Sequence, residues 1–280
     1  MRNNSLYESL FVFAILTRMR QLVFLGTAAG MPIASHSTSI LVQDDNTNLL
    51  LDVSGGHNIL RAFHEAGKDP REVEHIFISH YDSDHVLGIV PLVRLFQHDQ
   101  RCPRTVYCSK DTLAAIKAIF THTAHRQYAG AQEQLQFKVV AGGDSQAFGG
   151  WKLSFFDLGS TKTPQLGCSV VFADGKKLSY LGDEPLRDDY VSYAEGSDVL
   201  LHEAFCTSDE VDRFKPYEKH HGTAKEAGQN AAKAGAKTLV LFHMEDETLA
   251  TRKNKYLADV KTSGFAGEIL VPEDSDKLDF

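Results

Sequence analysis

A chain of 280 residues with a formal net charge of −8 is long enough for one large core or two small ones. Its acidic balance argues against an extended nucleic-acid-binding surface, leaving at most a local basic pocket. Four scattered cysteines, Cys102, Cys108, Cys168 and Cys206, form no CxxC pair, so they are expected as reduced thiols of a cytoplasmic protein rather than as a disulfide framework.

Residues 1–18 are expected to be an N-terminal appendage. Leu10 to Leu16 is apolar and follows Arg2, but no small-residue cleavage site follows it. The run is also too short to span a bilayer, so no membrane association is expected. Met19 is a second candidate start, and a single domain is expected over 19–280. Gln21 to Leu25 reads as a strand followed by the glycine turn Gly26-Thr27-Ala28-Ala29-Gly30, with no P-loop Lys-Ser/Thr after it. Thr38 to Val42 and Asn48 to Leu51 read as a hairpin across Asp44-Asp45-Asn46. That second strand ends on Asp52. Gly55 to Ala66 reads as a helix stopped by Gly67.

The stretch with the most chemistry is His80-Tyr81-Asp82-Ser83-Asp84-His85. The apolar run His75 to Ile78 ahead of it reads as a buried strand. Val86 to Val90 behind it opens a helix through about Gln97. Alternate residues of extended backbone point the same way, so His80, Asp82 and Asp84 can converge, with His85 beside them. Imidazole and carboxylate together suit divalent metals such as zinc, iron or manganese.

Farther on, Thr105 to Cys108 reads as a strand, and Ser109 caps a helix from Asp111 to about Phe120. His122 and His125 read as surface histidines. Phe137 to Ala141 and Lys152 to Leu158 read as strands, and Cys168 to Phe172 with Lys177 to Leu181 as a hairpin around Asp174-Gly175. Asp183 follows that hairpin. Asp198 to His202 is a strand leading into Glu203, and Thr223 to Glu226 is a capping box that opens a helix after His221. Thr238 to Phe242 is a strand ending on His243. A helix from Leu249 to about Thr262 and a strand from Glu268 to Val271 close the chain. Candidate ligands thus recur at strand ends, where active sites are commonly built on a rigid scaffold. Hairpins early and strand–helix alternation later fit an α/β fold, a four-layer αββα sandwich.

These residues resemble the metallo-β-lactamase superfamily, whose metal loop is His-x-His-x-Asp-His. In their order they are similar to ribonuclease Z. Val23 to Gly30, Leu50-Leu51-Asp52, Gly182-Asp183, His202-Glu203-Ala204, His221-Gly222-Thr223 and Leu239 to His243 each match a stretch of that family. The resemblance covers 19–271 and implies two divalent metal ions, zinc or manganese/iron. Asp84, His85, His243 and Asp183 would hold one. His80, Asp82 and Asp183 would hold the other, Asp183 bridging. It also implies that Asp84 orients the attacking water, that His221 stabilises the phosphate or protonates the leaving oxygen, and that Glu203 orients His221. His202 is expected to pack or orient rather than ligate.

Three departures stand out. Asp82 replaces the loop's second histidine. No histidine occurs in the Gly159 to Gly167 stretch where a ligand is expected. The connection before Asp183 is too short for a tRNA-binding arm. Lys162 falls near the lost ligand and is expected to contact a substrate phosphate or carboxylate, replacing some of the second ion's charge. Thr161 offers a neighbouring hydroxyl. The implied activity is a metal-dependent phosphodiesterase acting on a small phosphodiester, nucleotide or RNA end, with a homodimer implied by relatives. The competing readings are a lactone or thioester hydrolase on the same centre, and a non-catalytic metal-binding homologue.

Overall fold

The computed structural model describes residues 20–44, 47–97, 99, 103–131 and 133–280. The expected appendage 1–18, the alternative start Met19, the turn residues Asp45 and Asn46, and Cys102 lie outside the described residues.

Among the described residues, two seven-stranded sheets form. The first holds β1 (Gln21–Gly26), β2 (Ser39–Gln43), β3 (Asn48–Leu51), β4 (His75–Ile78), β5 (Arg104–Cys108) and β6 (Leu135–Val139) side by side. The second runs from β7 (Ser145–Phe148) through β8 (Trp151–Asp157), β9 (Leu166–Val171), β10 (Lys177–Tyr180), β11 (Val199–Glu203) and β12 (Thr238–Phe242) to β13 (Glu268–Leu270). The last strand, β14 (Lys277–Asp279), returns to pair with β1. In each sheet an antiparallel meander gives way to parallel strands, from β3 onward in the first and from β10 onward in the second. The two sheets are therefore built alike.

Parallel strands are buried on both faces and read as continuous apolar runs. In β11, Val199 and Leu201 face the core between the sheets, while Leu200 faces the outer helices. The inner core joins Phe24, Val42, Leu51 and Phe77 of one sheet to Phe155, Val170, Tyr180 and Phe242 of the other. Outside the first sheet pack α1 (Asn58–Glu65), the short α2 (Ser83–Val86), α3 (Ile89–Phe96), α4 (Lys110–Thr123) and α5 (His125–Ala131). Outside the second come α6 (Val191–Ala194), α7 (Val211–Phe214), α8 (Ala224–Lys233) and α9 (Leu249–Lys261), of which α8 and α9 supply most of the apolar cover, Ala224, Ala227, Ala231, Tyr256 and Val260, joined by Ala194 of α6. The layers are helix, sheet, sheet, helix, as expected from the sequence. Among the described residues no helix is long and apolar enough to cross a membrane.

Some boundaries differ from the sequence expectation. The helix after the metal loop opens at Ser83 rather than Val86, because the Asp82 carbonyl accepts from both His85 N (3.0 Å) and Val86 N (3.1 Å). It then breaks at Leu87-Gly88 before α3 begins. Two edge strands, β7 and β14, carried no sequence signal. Their side chains are exposed or half-buried, so no apolar alternation marks them. His122 and His125 are exposed, on α4 and at the start of α5.

Candidate metal centre

The parallel strands of both sheets deliver their C-terminal ends to one place. From the first sheet come Asp52 after β3 and the His80 loop after β4. The second sheet brings Asp183 after β10, His202-Glu203 at the end of β11, and His243 after β12. The chain turns sharply as it leaves these strands. Asp52 has φ 55°, Gly182 57° and His243 54°, a left-handed conformation that most residues avoid.

Four groups surround one point. His85 Nε2 lies 3.4 Å from Asp84 Oδ2 and 3.8 Å from Asp183 Oδ2. His243 Nε2 lies 4.0 Å from the same Asp84 oxygen and 3.5 Å from the same Asp183 oxygen. Next to it, His80 Nε2 lies 3.7 Å from Asp82 Oδ2 and 3.6 Å from Asp183 Oδ1. Asp84 thus joins from the first turn of α2 rather than from extended backbone, and its Oδ2 accepts from Gly30 N at 3.0 Å. Both His80 and His85 are fully buried, and their Nε2 atoms have no hydrogen-bond partner. A buried polar atom without a partner is uncommon, and a cation at the centre of these donors would satisfy it. Nitrogen and carboxylate oxygen donors at this spacing fit a divalent metal ion.

Behind the donors lies a layer that sets their orientation. Asp52 approaches nitrogens of His80 and His85, but its oxygens are spent on hydrogen bonds. Oδ2 pairs with His85 Nδ1 at 2.7 Å and accepts from Ser79 Oγ at 2.7 Å and Tyr180 Oη at 2.5 Å, while Oδ1 accepts from Ser79 N at 2.7 Å. It therefore fixes His85 rather than joining the donors, as partners of metal-bound histidines do. Thr38 Oγ1 does the same for His243 Nδ1 at 2.9 Å, and Ser79 Oγ for His80 Nδ1 at 2.9 Å. Sequence reasoning placed Asp52 at a strand end in a family-like stretch but gave it no role, and it missed roles for Thr38, Ser79, Tyr180 and Gln165. A charged residue closing the all-leucine end of a buried strand was the available signal for Asp52.

The electrostatics keep the carboxylates ionised. Burial alone would raise the Asp183 carboxyl, but His80, His85, His243 and Lys162 around it hold it well below the usual range. Asp82 is held low chiefly by its interaction with His80, and then by Lys162. Asp84, raised by burial, is brought low by His85 and His243. Burial pushes the His243 imidazole well down toward its neutral, metal-binding form. His85 is also lowered by burial, but Asp84 and Asp52 on either side outweigh this and set it well above its ordinary value.

The remaining candidates fall around this cluster. Lys162 reaches in from the loop before β9, with Nζ 3.0 Å from Asp82 Oδ2 and 3.1 Å from Asp183 Oδ2. Burial lowers its pKa, but Asp183 and Asp82 outweigh that and raise it. Thr161 is exposed and turns to His220 Nδ1 at 3.5 Å. The hydroxyl that reaches the cluster is Thr163, 3.3 Å from Asp82 Oδ1. Gln165 donates to Asp183 Oδ1 at 2.6 Å. His221 stands across the site, one ring nitrogen within 4.8 Å of donor atoms of Asp183 and His243. Its Nδ1 lies 3.7 Å from Glu203 Oε2, and its ring stacks on Phe205. Burial lowers His221 to about 4 and pushes the Glu203 carboxyl well up. Glu203 Oε1 also accepts from Gly222 N at 2.7 Å, so it ties the His221 loop to the end of β11. His202 points the other way. Its Nε2 accepts from Leu186 N at 3.3 Å and Asn230 Nδ2 at 3.1 Å, and its Nδ1 meets the Glu203 carbonyl at 2.6 Å.

Residues 47–244 match the beta-lactamase superfamily domain. Ribonuclease Z of Bacillus subtilis is 30% identical over 277 aligned positions, covering 80% of this chain and 88% of the relative. The alignment is longer than the part of this chain it covers, so the relative carries residues that this chain lacks. Among solved structures, the metallo-beta-lactamase fold protein YhfI from Bacillus subtilis superposes with a TM-score of 0.75 at 19% identity, over 94% of this chain and 100% of that one. The short form of human tRNase Z gives 0.70 at 21% identity, over 92% and 98%. With a domain match over more than half its length and a ribonuclease Z relative at 30% identity, this chain belongs to the metallo-β-lactamase superfamily, as a metal-dependent hydrolase resembling ribonuclease Z.

Proposed function

We propose that this chain hydrolyses a phosphodiester, in a nucleotide or at an RNA end, at a centre where Asp84, His85, His243 and Asp183 hold a divalent ion. The observation that supports this reading is the pair of buried imidazole nitrogens, His80 Nε2 and His85 Nε2, turned without partners toward ionised carboxylates. A bound divalent ion there lowers the pKa of water from about 15.7 toward about 7 and neutralises charge on phosphoryl oxygens. Three carboxylates among the donors favour manganese or iron over zinc. A second ion would have only His80, Asp82 and Asp183 to draw on.

The chain's own groups supply the rest. Asp84, fixed by Gly30 N, orients the attacking water. His221, neutral and half-sandwiched by Phe205, stands ready to hydrogen-bond a phosphoryl or leaving oxygen. Glu203, whose carboxyl burial pushes well up, faces His221 with Oε2 3.7 Å from Nδ1 and orients it. A cavity of about 390 Å³ opens beside His221, lined by Leu186, Arg187, Tyr217 and Lys233 among others. A small substrate rather than a long duplex is in keeping with the net charge of −8. A homodimer and a cytoplasmic setting complete the proposal, the latter supported by the free thiols of Cys108, Cys168 and Cys206.

The test is hydrolysis of a chromogenic phosphodiester by metal-stripped protein, titrated separately with manganese and zinc, beside Asp183→Ala. Metal-dependent turnover that the variant lacks is expected. Metal binding without phosphodiester turnover, together with hydrolysis of a lactone or thioester, would overturn the substrate class.

A further inference from the structure

A cation of the chain itself lies among the carboxylates next to the first donor set. Lys162 Nζ sits 3.0 Å from Asp82 Oδ2 and 3.1 Å from Asp183 Oδ2, within hydrogen-bond distance of both. These are the two carboxylates that His80 Nε2 also faces, at 3.7 and 3.6 Å. Its Asp183 contact is on Oδ2, the oxygen that also faces His85 and His243, so the ammonium lies between Asp82 and Asp183 at the edge of both donor sets. Thr163, on Asp82 Oδ1, and Gln165, on Asp183 Oδ1, are its hydrogen-bonding neighbours, and the His221 imidazole and Glu184 carboxyl are close enough to feel the ammonium. The first position differs: Asp84, His85, His243 and Asp183 converge there, and Lys162 contacts none of the other three.

We propose that this protein works with a single tightly bound divalent ion, and that the Lys162 ammonium takes the place of a second. The inference rests on the metal-dependent reading given above. Asp183 then bridges an ion and an ammonium rather than two ions. A lysine on a flexible stem differs from a metal in that it can leave its carboxylates for a substrate phosphate.

Metal content decides the question without any activity measurement. Stripped wild-type protein, Lys162→Ala and Lys162→His are titrated with manganese and with zinc by calorimetry, and bound metal is counted by elemental analysis after gel filtration. The expected result is one tight equivalent for wild type. A second equivalent should appear in Lys162→His, which restores a nitrogen donor, and more weakly in Lys162→Ala. Cobalt-loaded wild type should show no spin coupling between ions, a reading that stands even if a variant fails to fold. Two equivalents of similar affinity in wild type would overturn the inference and leave the metallohydrolase reading intact. So would a single equivalent in folded variants, since the ammonium would then not be what excludes the second ion. No binding by wild type would instead overturn the metal-dependent reading itself.

Discussion

Replacing Asp52 by asparagine tests the layer behind the ligands more sharply than any change to a ligand. The carboxylate takes four hydrogen bonds, three on Oδ2 from Ser79 Oγ, Tyr180 Oη and His85 Nδ1, and one on Oδ1 from Ser79 N. A carboxamide can accept on one side only. With its oxygen toward the three donors, its NH2 faces Ser79 N–H, and two buried donors are left without acceptors. Each costs about 1–3 kcal/mol. The flipped amide leaves more donors unpaired and is worse. His85 also loses the negative charge behind its Nδ1–H, and loss of such a partner weakens metal binding about 10–100-fold, which is about 1.4–2.7 kcal/mol. Asp52→Asn is therefore expected to unfold at lower urea concentration and, while still folded, to lose manganese or zinc to a competing chelator at proportionately lower chelator concentration. A folded variant with wild-type metal affinity would refute the orienting role of Asp52. Wild-type stability would refute the count of unpaired donors.

Two further expectations concern the scaffold. A Cβ added at Gly88 would lie 1.6 Å from the Val53 carbonyl oxygen, backbone against backbone, so Gly88→Ala is expected to cost about 3 kcal/mol or more and to lower the unfolding midpoint markedly; an unchanged midpoint would mean the approach is looser than it looks. His202 is buried and lowered to about 4, mainly by desolvation, while in the unfolded chain it titrates near its ordinary 6.5. The unfolded state thus binds more protons between these values, and the stability it withholds grows as pH falls from about 6.5 to about 4, by up to about 3 kcal/mol. His202→Leu should be less stable at neutral pH yet lose less stability between pH 7 and pH 5; equal losses in both proteins would assign the acid sensitivity elsewhere.

The loop from His80 to His85 was legible because its ligands are consecutive and follow an apolar strand, so local sequence alone gathers them. Asp183 and His243 could be suspected because each stands at the end of a strand, although only the docking of two sheets makes them neighbours. The strand cores were legible for the same reason: both faces are buried, and their residues are apolar throughout. Lys162 could be suspected only because it falls where a ligand was expected; its contacts could not be read from sequence. It lies on an irregular loop, and its partners Asp82 and Asp183 are reached through the tertiary fold. Thr38 and Tyr180 were hidden in another way. A threonine opening a strand and a tyrosine closing one are common, and only their distances to His243 and Asp52 give them a role. Edge strands β7 and β14 escaped because an exposed edge needs no apolar alternation.

The position of His243 sets an order on assembly. Asp84 and His85 belong to the first sheet, and Asp183 and His243 come from the second, whose β12 is among the last strands to be synthesised. A nascent chain that has formed only β1 to β6 presents three carboxylates and two imidazoles of the His80 loop and Asp52, but not the far wall that completes the cage. Capture of the ion is therefore a late event. It reports that the two sheets have closed on each other, and an ion bound at a free concentration a thousandfold above its dissociation constant would hold them closed by about 4 kcal/mol. The same ion that serves the chemistry would then act as a latch across the seam between the sheets.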